Sequence, residues 1–189
     1  MNHSTTSSGV TLVELLIAIT IISIATTFAL SNWSRWINDV RHRAQINAYA
    51  ELFNYGRWMA ASQNRLVTLC PLNEANHCED DWNRPVSVFP DSDNNKQPDN
   101  GTVWRILEAP AEPFTVRSRT GGRGYLQFSA SGMVHGASGG LVLCPKTDSS
   151  GGKMSYLAIN RGGRFRAEHD LDGDRHLRLS WGTDIYCAP

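Results

Sequence analysis

An α+β fold, with one long N-terminal helix packed on a head of antiparallel β-sheet, is predicted by three observations. From Gly9 to Leu30 the chain runs GVTLVELLIAITIISIATTFAL, apolar on all sides with a single charge at Glu14. No proline interrupts the chain from Val10 to Asn64, and beyond the apolar run a stripe at three- and four-residue spacing continues through Trp33, Ile37, Val40, Ala44, Ala48, Leu52, Tyr55 and Met59. That is the period of one helix face. From Arg65 the texture changes to short runs of β-forming residues broken by Gly, Pro, Asn and Asp. Strands in succession after one helix indicate antiparallel sheets rather than βαβ units.

The N-terminal element is expected over residues 10–64. About 20 residues of α-helix rise roughly 30 Å, the thickness of a bilayer core, so residues 10–30 can span a membrane. The second half of the helix is amphipathic and should pack on the head; only Gly56 weakens it. Strands are expected at Leu66–Cys70, Val86–Phe89, Val103–Leu107, Phe114–Ser118, Tyr125–Ser129, Leu141–Cys144, Met154–Asn160, Arg164–Glu168 and Leu177–Trp181. Residues 65–189 form one domain of ordinary size. The 189 residues carry no net formal charge, so any attraction to a polyanion must come from local clustering.

The flanks of the apolar run distinguish it from a secretory signal, whose small-residue cleavage site would follow the apolar core. Here the scission point, Gly9, precedes it. Gly9-Val10-Thr11-Leu12-Val13-Glu14-Leu15-Leu16 resembles the prepilin signature of type IV pilins and type II secretion pseudopilins. The resemblance implies a leader at residues 1–9, removed by a prepilin peptidase after Gly9, with methylation of the new N-terminus at Val10. Val10 stands where the family most often has phenylalanine, and the leader lacks Lys or Arg. The positive-inside rule therefore does not set the orientation, which rests on the motif. A carboxylate inside a spanning helix costs on the order of 3 kcal/mol and is functional by default. In this family the glutamate is matched with the N-terminal amine of a neighbouring subunit, which makes Glu14 an assembly residue.

The head resembles the GspH/FimT branch of these proteins. Trp82, Val88-Phe89-Pro90-Asp91, Gly101 and Arg105, followed by Tyr125-Leu126-Gln127-Phe128, Gly132 and the strand ending in Cys144, stand in that branch's order. The implied location is the bacterial inner membrane, single-pass with a periplasmic head, then a pilus filament or its tip. The implied partners are other pilins, the prepilin peptidase and the inner membrane. In the periplasm an even cysteine count reads as disulfides, and Cys70, Cys78, Cys144 and Cys187 permit three pairings. The expected set joins Cys70 to Cys78, closing a short loop, and Cys144 to Cys187, tying the C-terminus to a strand.

Metal, cofactor and catalytic chemistry find little support. Asp91-Ser-Asp93-Asn-Asn95 opens like a calcium loop, but Lys96 replaces the turn glycine and Thr102 the bidentate glutamate. Asp170-Leu-Asp172-Gly-Asp174 is similarly incomplete; both are expected to be solvated turns. His77 beside Cys78 lacks zinc-ligand spacing, and His135, His169 and His176 have no nucleophile motif nearby. Gly121-Gly122-Arg123-Gly124 lacks the GK[ST] ending of a phosphate loop. No cofactor, metal or enzymatic activity is expected.

The remaining signal is arginine. Asn160-Arg161-Gly162-Gly163-Arg164-Phe165-Arg166 should put Arg164 and Arg166 on one side of an extended strand with Phe165 turned inward. Guanidinium forks match phosphate geometry. Against this stands a solvent-facing sheet edge neutralised by Glu168, Asp170, Asp172 and Asp174. Gly163-Arg164-Phe165-Arg166 resembles the GRxR motif of FimT-type minor pilins, which implies non-specific binding of double-stranded DNA during natural transformation. Arg117, Arg119 and Arg123 form a second basic patch. The alternative is a structural minor pilin or type II secretion pseudopilin that initiates or caps a filament without binding DNA.

Overall fold

The computed structural model describes residues 11–146 and 153–187, with the side chains of 27–32, 34 and 35 outside that description. The expected cleavage and methylation positions, Gly9 and Val10, also lie outside the described residues. One helix, α1, covers Leu12–Gln63. It contributes to two compact units, Met1–Ile37 and Asn38–Pro189.

In the first unit, Thr11-Leu12-Val13-Glu14 has the T-x-x-E spacing of a capping box. The Glu14 N–H donates to Thr11 Oγ1 at 3.3 Å, which occupies one amide left open at a helix start. Leu12, Val13, Leu15, Leu16, Ile17, Ile19, Ile21, Ile22 and Ile24 are all more than half exposed. The polar residues among them turn their hydroxyls back onto the helix: Thr20 Oγ1 donates to the Ile17 carbonyl at 2.8 Å, and Ser23 Oγ to that of Ile19 at 2.7 Å. The helix thus presents little unsatisfied polarity to an apolar surrounding. Among the described residues no helix is long and apolar enough to cross a membrane; of the expected span, 10–30, residue 10 and the side chains of 27–30 lie outside that description.

In the second unit α1 buries His42, Ile46, Tyr49, Leu52, Phe53, Met59 and Ala60. This corrects the expected stripe, because Val40 is half exposed and Ala44 is exposed. Two tracks of helical spacing run side by side here and meet at Leu52 and Met59. The track carrying Ile46, Tyr49 and Phe53 buries more apolar area than one carrying Ala44 and Ala48, and so faces the core. Gly56 lies on the buried face, where a Cβ would come within 2.8 Å of Leu69 Cδ1. Its helix cost is the condition for close approach of the first strand. The helix ends with Asn64 at φ +50° and the Arg65 amide donating to the Ala60 carbonyl at 3.2 Å, a Schellman arrangement.

The strands are β1 (Val67–Pro71), β2 (Val86–Pro90), β3 (Arg105–Leu107), β4 (Phe114–Ser118), β5 (Leu126–Phe128), β6 (Gly139–Pro145), β7 (Ser155–Ile159), β8 (Phe165–His169), β9 (His176–Arg178) and β10 (Asp184–Tyr186). They form antiparallel sheets ordered β3-β2-β1-β5 and β4-β6-β7-β8, plus the two-stranded β9–β10. Both larger sheets share one core with α1, built from residues such as Tyr49, Phe53, Leu69, Val88, Phe128, Leu143 and Leu157. The strand β6 is buried on both faces. Leu141 and Leu143 enter that core, while Val142 and Cys144 join Met154, Tyr156, Leu177, Leu179, Ile185 and Cys187 in a second one beneath the β9–β10 hairpin. Disulfides join Cys70 to Cys78 and Cys144 to Cys187.

Two expectations are corrected. The run Leu177–Trp181 is not one strand: the Leu179 amide donates to the Thr183 carbonyl at 2.9 Å, and Gly182 takes φ +87°. A hairpin turn therefore begins before Trp181 and leads into β10, which the sequence reading lacks. Nor are the aspartate turns solvated throughout. Asp91 is fully buried and accepts Thr68 Oγ1 at 2.6 Å and Gln127 Nε2 at 3.0 Å. Asp170 is buried and accepts the amides of Gly173 at 2.7 Å and Arg175 at 2.9 Å. Burial alone would raise the Asp170 pKa, but these amide hydrogen bonds outweigh it and hold the carboxyl below its ordinary value. The oxygens of Asp170, Asp172 and Asp174 lie close together, as do those of Asp91, Asp93 and Asp99. Both buried members already serve as acceptors for the chain's own donors.

Candidate functional site

The β7–β8 hairpin turns through Asn160-Arg161-Gly162-Gly163-Arg164. Asn160 Oδ1 accepts the Arg164 amide at 2.9 Å, and the Asn160 carbonyl accepts the Gly163 amide at 2.9 Å. Gly163 has φ +73°, and a Cβ there would lie 2.4 Å from the Gly132 carbonyl oxygen. Only glycine fits both the backbone conformation and the space. On α1, Arg57 donates Nε to the Gly132 carbonyl at 3.0 Å and Nη1 to that of Gly163 at 3.5 Å. The Arg161 carbonyl accepts the Val134 amide at 3.1 Å. Helix, hairpin and the turn after β5 thus fix the arginine turn in place.

Because β8 begins at Phe165, Arg164 belongs to the turn. Phe165 faces the helix, its ring 5.8 Å from that of Phe53. Arg166 points to the opposite face of the sheet, with Glu168 two residues on. There a groove of about 450 Å³ opens between the sheet and the β9–β10 turn. Arg119, Arg161, Arg166, Glu168, Tyr156 and Trp181 are among its lining residues. The sequence could not show that Arg119, just beyond β4, meets the Arg161 turn. The sheet order β4-β6-β7-β8 carries both to this groove.

The other two arginines of the second basic patch go elsewhere. Arg117 Nη2 donates to the Tyr186 carbonyl at 2.6 Å and ties β4 to β10. Arg123 Nη2 donates to the Ala137 carbonyl at 3.2 Å and lines a separate hollow with Tyr125, Gln127 and His135. By contrast, the guanidinium groups of Arg119, Arg161, Arg164 and Arg166 make no hydrogen bond or ion pair among the described residues, and all four are exposed. Among the described residues, Glu168 is the one carboxylate lining the groove. Asp170 is committed to backbone amides, and Asp174 and Asp184 flank His176 at 3.9 and 3.1 Å.

A second polar cluster escaped the sequence reading because its members are far apart in the chain. Ser155 Oγ, fully buried on β7, lies 3.1 Å from His42 Nε2 of α1 and 2.8 Å from His169 Nδ1 of β8. Burial, followed by the neighbouring His169, lowers the His42 pKa to about 4. The cluster joins helix to sheet through one hydroxyl.

Two family models match the sequence. Residues 45–163 match the model of type II transport protein GspH, and residues 5–30 match the prokaryotic N-terminal methylation motif. The chain belongs to the GspH family. The fold is similar to that of the type IV minor pilin FimU of Pseudomonas aeruginosa PAO1, seen in two crystal forms. One has 18% identity, TM-score 0.51 and coverage of 67% of this chain and 91% of that one; the other has 20%, 0.51, 67% and 90%. The minor pseudopilin EpsH of the Vibrio cholerae type 2 secretion system has 11% identity and TM-score 0.47, with coverage of 68% and 96%. No curated protein sequence matches the chain. The family match and the methylation motif support a minor pilin or pseudopilin, and membership of this family implies a membrane-anchored component, prepilin peptidase processing and assembly with other pilins.

Proposed function

We propose that this protein is a minor pilin of a type IV pilus that binds DNA without sequence preference for uptake in natural transformation. The carrying observation is the set of four guanidinium groups on or beside one groove, exposed and without a hydrogen bond or ion pair among the described residues, while Arg57, Arg117 and Arg123 donate to backbone carbonyls. Guanidinium forks open to solvent suit phosphate oxygens. Arg161, Arg164 and Arg166 hold the backbone and Arg119 extends the track, while Gly163 allows the turn that carries them. Arg117 and Arg123 stand outside this interface.

At the other end of the chain, cleavage after Gly9 frees the Val10 amine, which is then methylated, and Glu14 of a neighbouring subunit matches this amine during assembly. Residues 10–30 then form the membrane anchor, with residues 65–189 as the periplasmic head. A structural pseudopilin role is favoured by one specific observation, the match to a family described as a type II transport protein.

Fluorescence anisotropy of labelled duplex DNA tests the reading, comparing the protein with its Arg164→Gln, Arg166→Gln double variant over a salt series. Three phosphate contacts, from Arg161, Arg164 and Arg166, give a log–log salt slope of about −2.7. The double variant should bind at least about tenfold more weakly, with a slope about two units shallower. Equal binding by both proteins, or none at low salt, would leave the pseudopilin role.

A further inference from the structure

The groove holds more than a phosphate site needs. Trp181 is 58% exposed and lines the groove beside the arginines. It stands on a hairpin turn braced by the Leu179–Thr183 and Gly182–Leu179 backbone hydrogen bonds. Its ring meets that of Tyr156 edge to face at 6.4 Å. Tyr156 itself is buried and rests against Gly140, where a Cβ would lie 2.7 Å from Tyr156 Cε2. The indole is therefore supported from one side by a fixed floor. The carboxylate of Glu168 shares this floor, and Arg119, Arg161 and Arg166 complete the lining.

This combination has a chemical reading. Cations alone would serve a sugar–phosphate backbone, whereas a carboxylate among them repels it. A nucleobase presents a π-face for an exposed indole and, in cytosine, adenine and guanine, amino hydrogens for a carboxylate. In a duplex those faces are stacked away from the protein. In a single strand they are open.

We propose that this groove takes an unstacked base of single-stranded nucleic acid, stacked on Trp181 with its amino edge toward Glu168, while Arg161 and Arg166 hold the adjoining phosphates. The inference rests on the DNA-binding reading but adds a different ligand form and a different residue. Exposed apolar surface at Trp181 would then be covered by the ligand.

The test compares the full chain in detergent with its Trp181→Ala and Trp181→Phe variants. The probes are a labelled single strand of about 20 nucleotides, an abasic strand of equal length and the matched duplex. Stacking lost at one base corresponds to about a tenfold weakening. Trp181→Ala should show it on the normal single strand and change abasic and duplex binding less than about twofold, with most affinity restored by Trp181→Phe. Equal single-strand binding by Trp181→Ala and the parent would overturn the inference while leaving the arginine reading intact. Equal weakening on all three probes would also overturn it, by showing that Trp181 acts only through packing. No binding to any probe would remove both readings.

Discussion

His42 should make the stability of the head depend on pH between about 4 and 6.5. The residue is 6% exposed, on α1, with Ser155 and His169 of the sheet against it and Asp39, Arg43 and Lys153 around it. Burial is the main reason its pKa falls from 6.5 to about 4; His169, Lys153 and Arg43 act in the same direction and Asp39 opposes them. Because the unfolded chain binds the proton first, stability is fully present above pH 6.5 and is lost as pH falls toward 4. Between pH 7.5 and 4.5 a shift of this size amounts to about 2.5 kcal/mol from this one group. Urea unfolding of the segment from Asn38, with disulfides intact, measures it at both pH values in the parent and in His42→Gln. The variant should lose about 2.5 kcal/mol less than the parent over that interval. Parallel losses would refute the assignment of a buried neutral imidazole at this joint.

Two further substitutions test how the head is held. Gly163→Ala should destabilise the head by about 2–3 kcal/mol, since it combines a positive φ with a 2.4 Å approach to the Gly132 carbonyl. Gly162→Ala, whose nearest neighbour is Asn160 Oδ1 at 3.4 Å, should stay within about 1 kcal/mol in the same urea titration. Removing Cys144–Cys187, which closes 43 residues, should cost about 4 kcal/mol in the chain-entropy model. Loss of Cys70–Cys78, separated by 8, should cost about 2.5 kcal/mol, so the order of the two variants' denaturation midpoints checks the loop-length argument.

What the sequence could and could not reveal follows the range of the interactions. Helix α1, the strand-rich head and the inward-facing Phe165 were legible because their signals lie within a few residues. The buried stripe was displaced because Ala44 and Ile46 sit on tracks of equal spacing, and only the opposing sheets decide between them. Leu177 to Trp181 alternates like a strand, which hid the turn that exposes Trp181. Gly56 reads as a local helix weakness and Gly163 as part of the arginine motif, yet at both close approach to a distant segment requires glycine. Arg57 was invisible for a related reason: a polar residue on an amphipathic helix gives no sign that its acceptors lie 75 and 106 residues away. Asp91 has the composition of a solvated turn, while its burial depends on Thr68 and Gln127.

The same long-range organisation explains how a chain with 18 basic and 18 acidic residues can carry a locally uncompensated cationic surface. In the sequence, Arg161, Arg164 and Arg166 are followed closely by Glu168, Asp170, Asp172 and Asp174, which suggests neutralisation. In the fold, alternation along β8 sends Arg166 and Glu168 to one face, and the chain then turns away. Asp170 accepts amides within its own loop, and Asp172 and Asp174 line a different hollow with His176 and Arg178. Arg119 arrives from another part of the chain, so the groove gains a cation and keeps one carboxylate. Arg57 stabilises the turn from behind by donating to the Gly132 and Gly163 carbonyls, and the adjacent guanidinium groups stay unengaged among the described residues. The position of these arginines is therefore set by the hairpin's attachment to α1. A change at Arg57 that loosens the turn should weaken polyanion binding even though its own charge faces the core side of the hairpin.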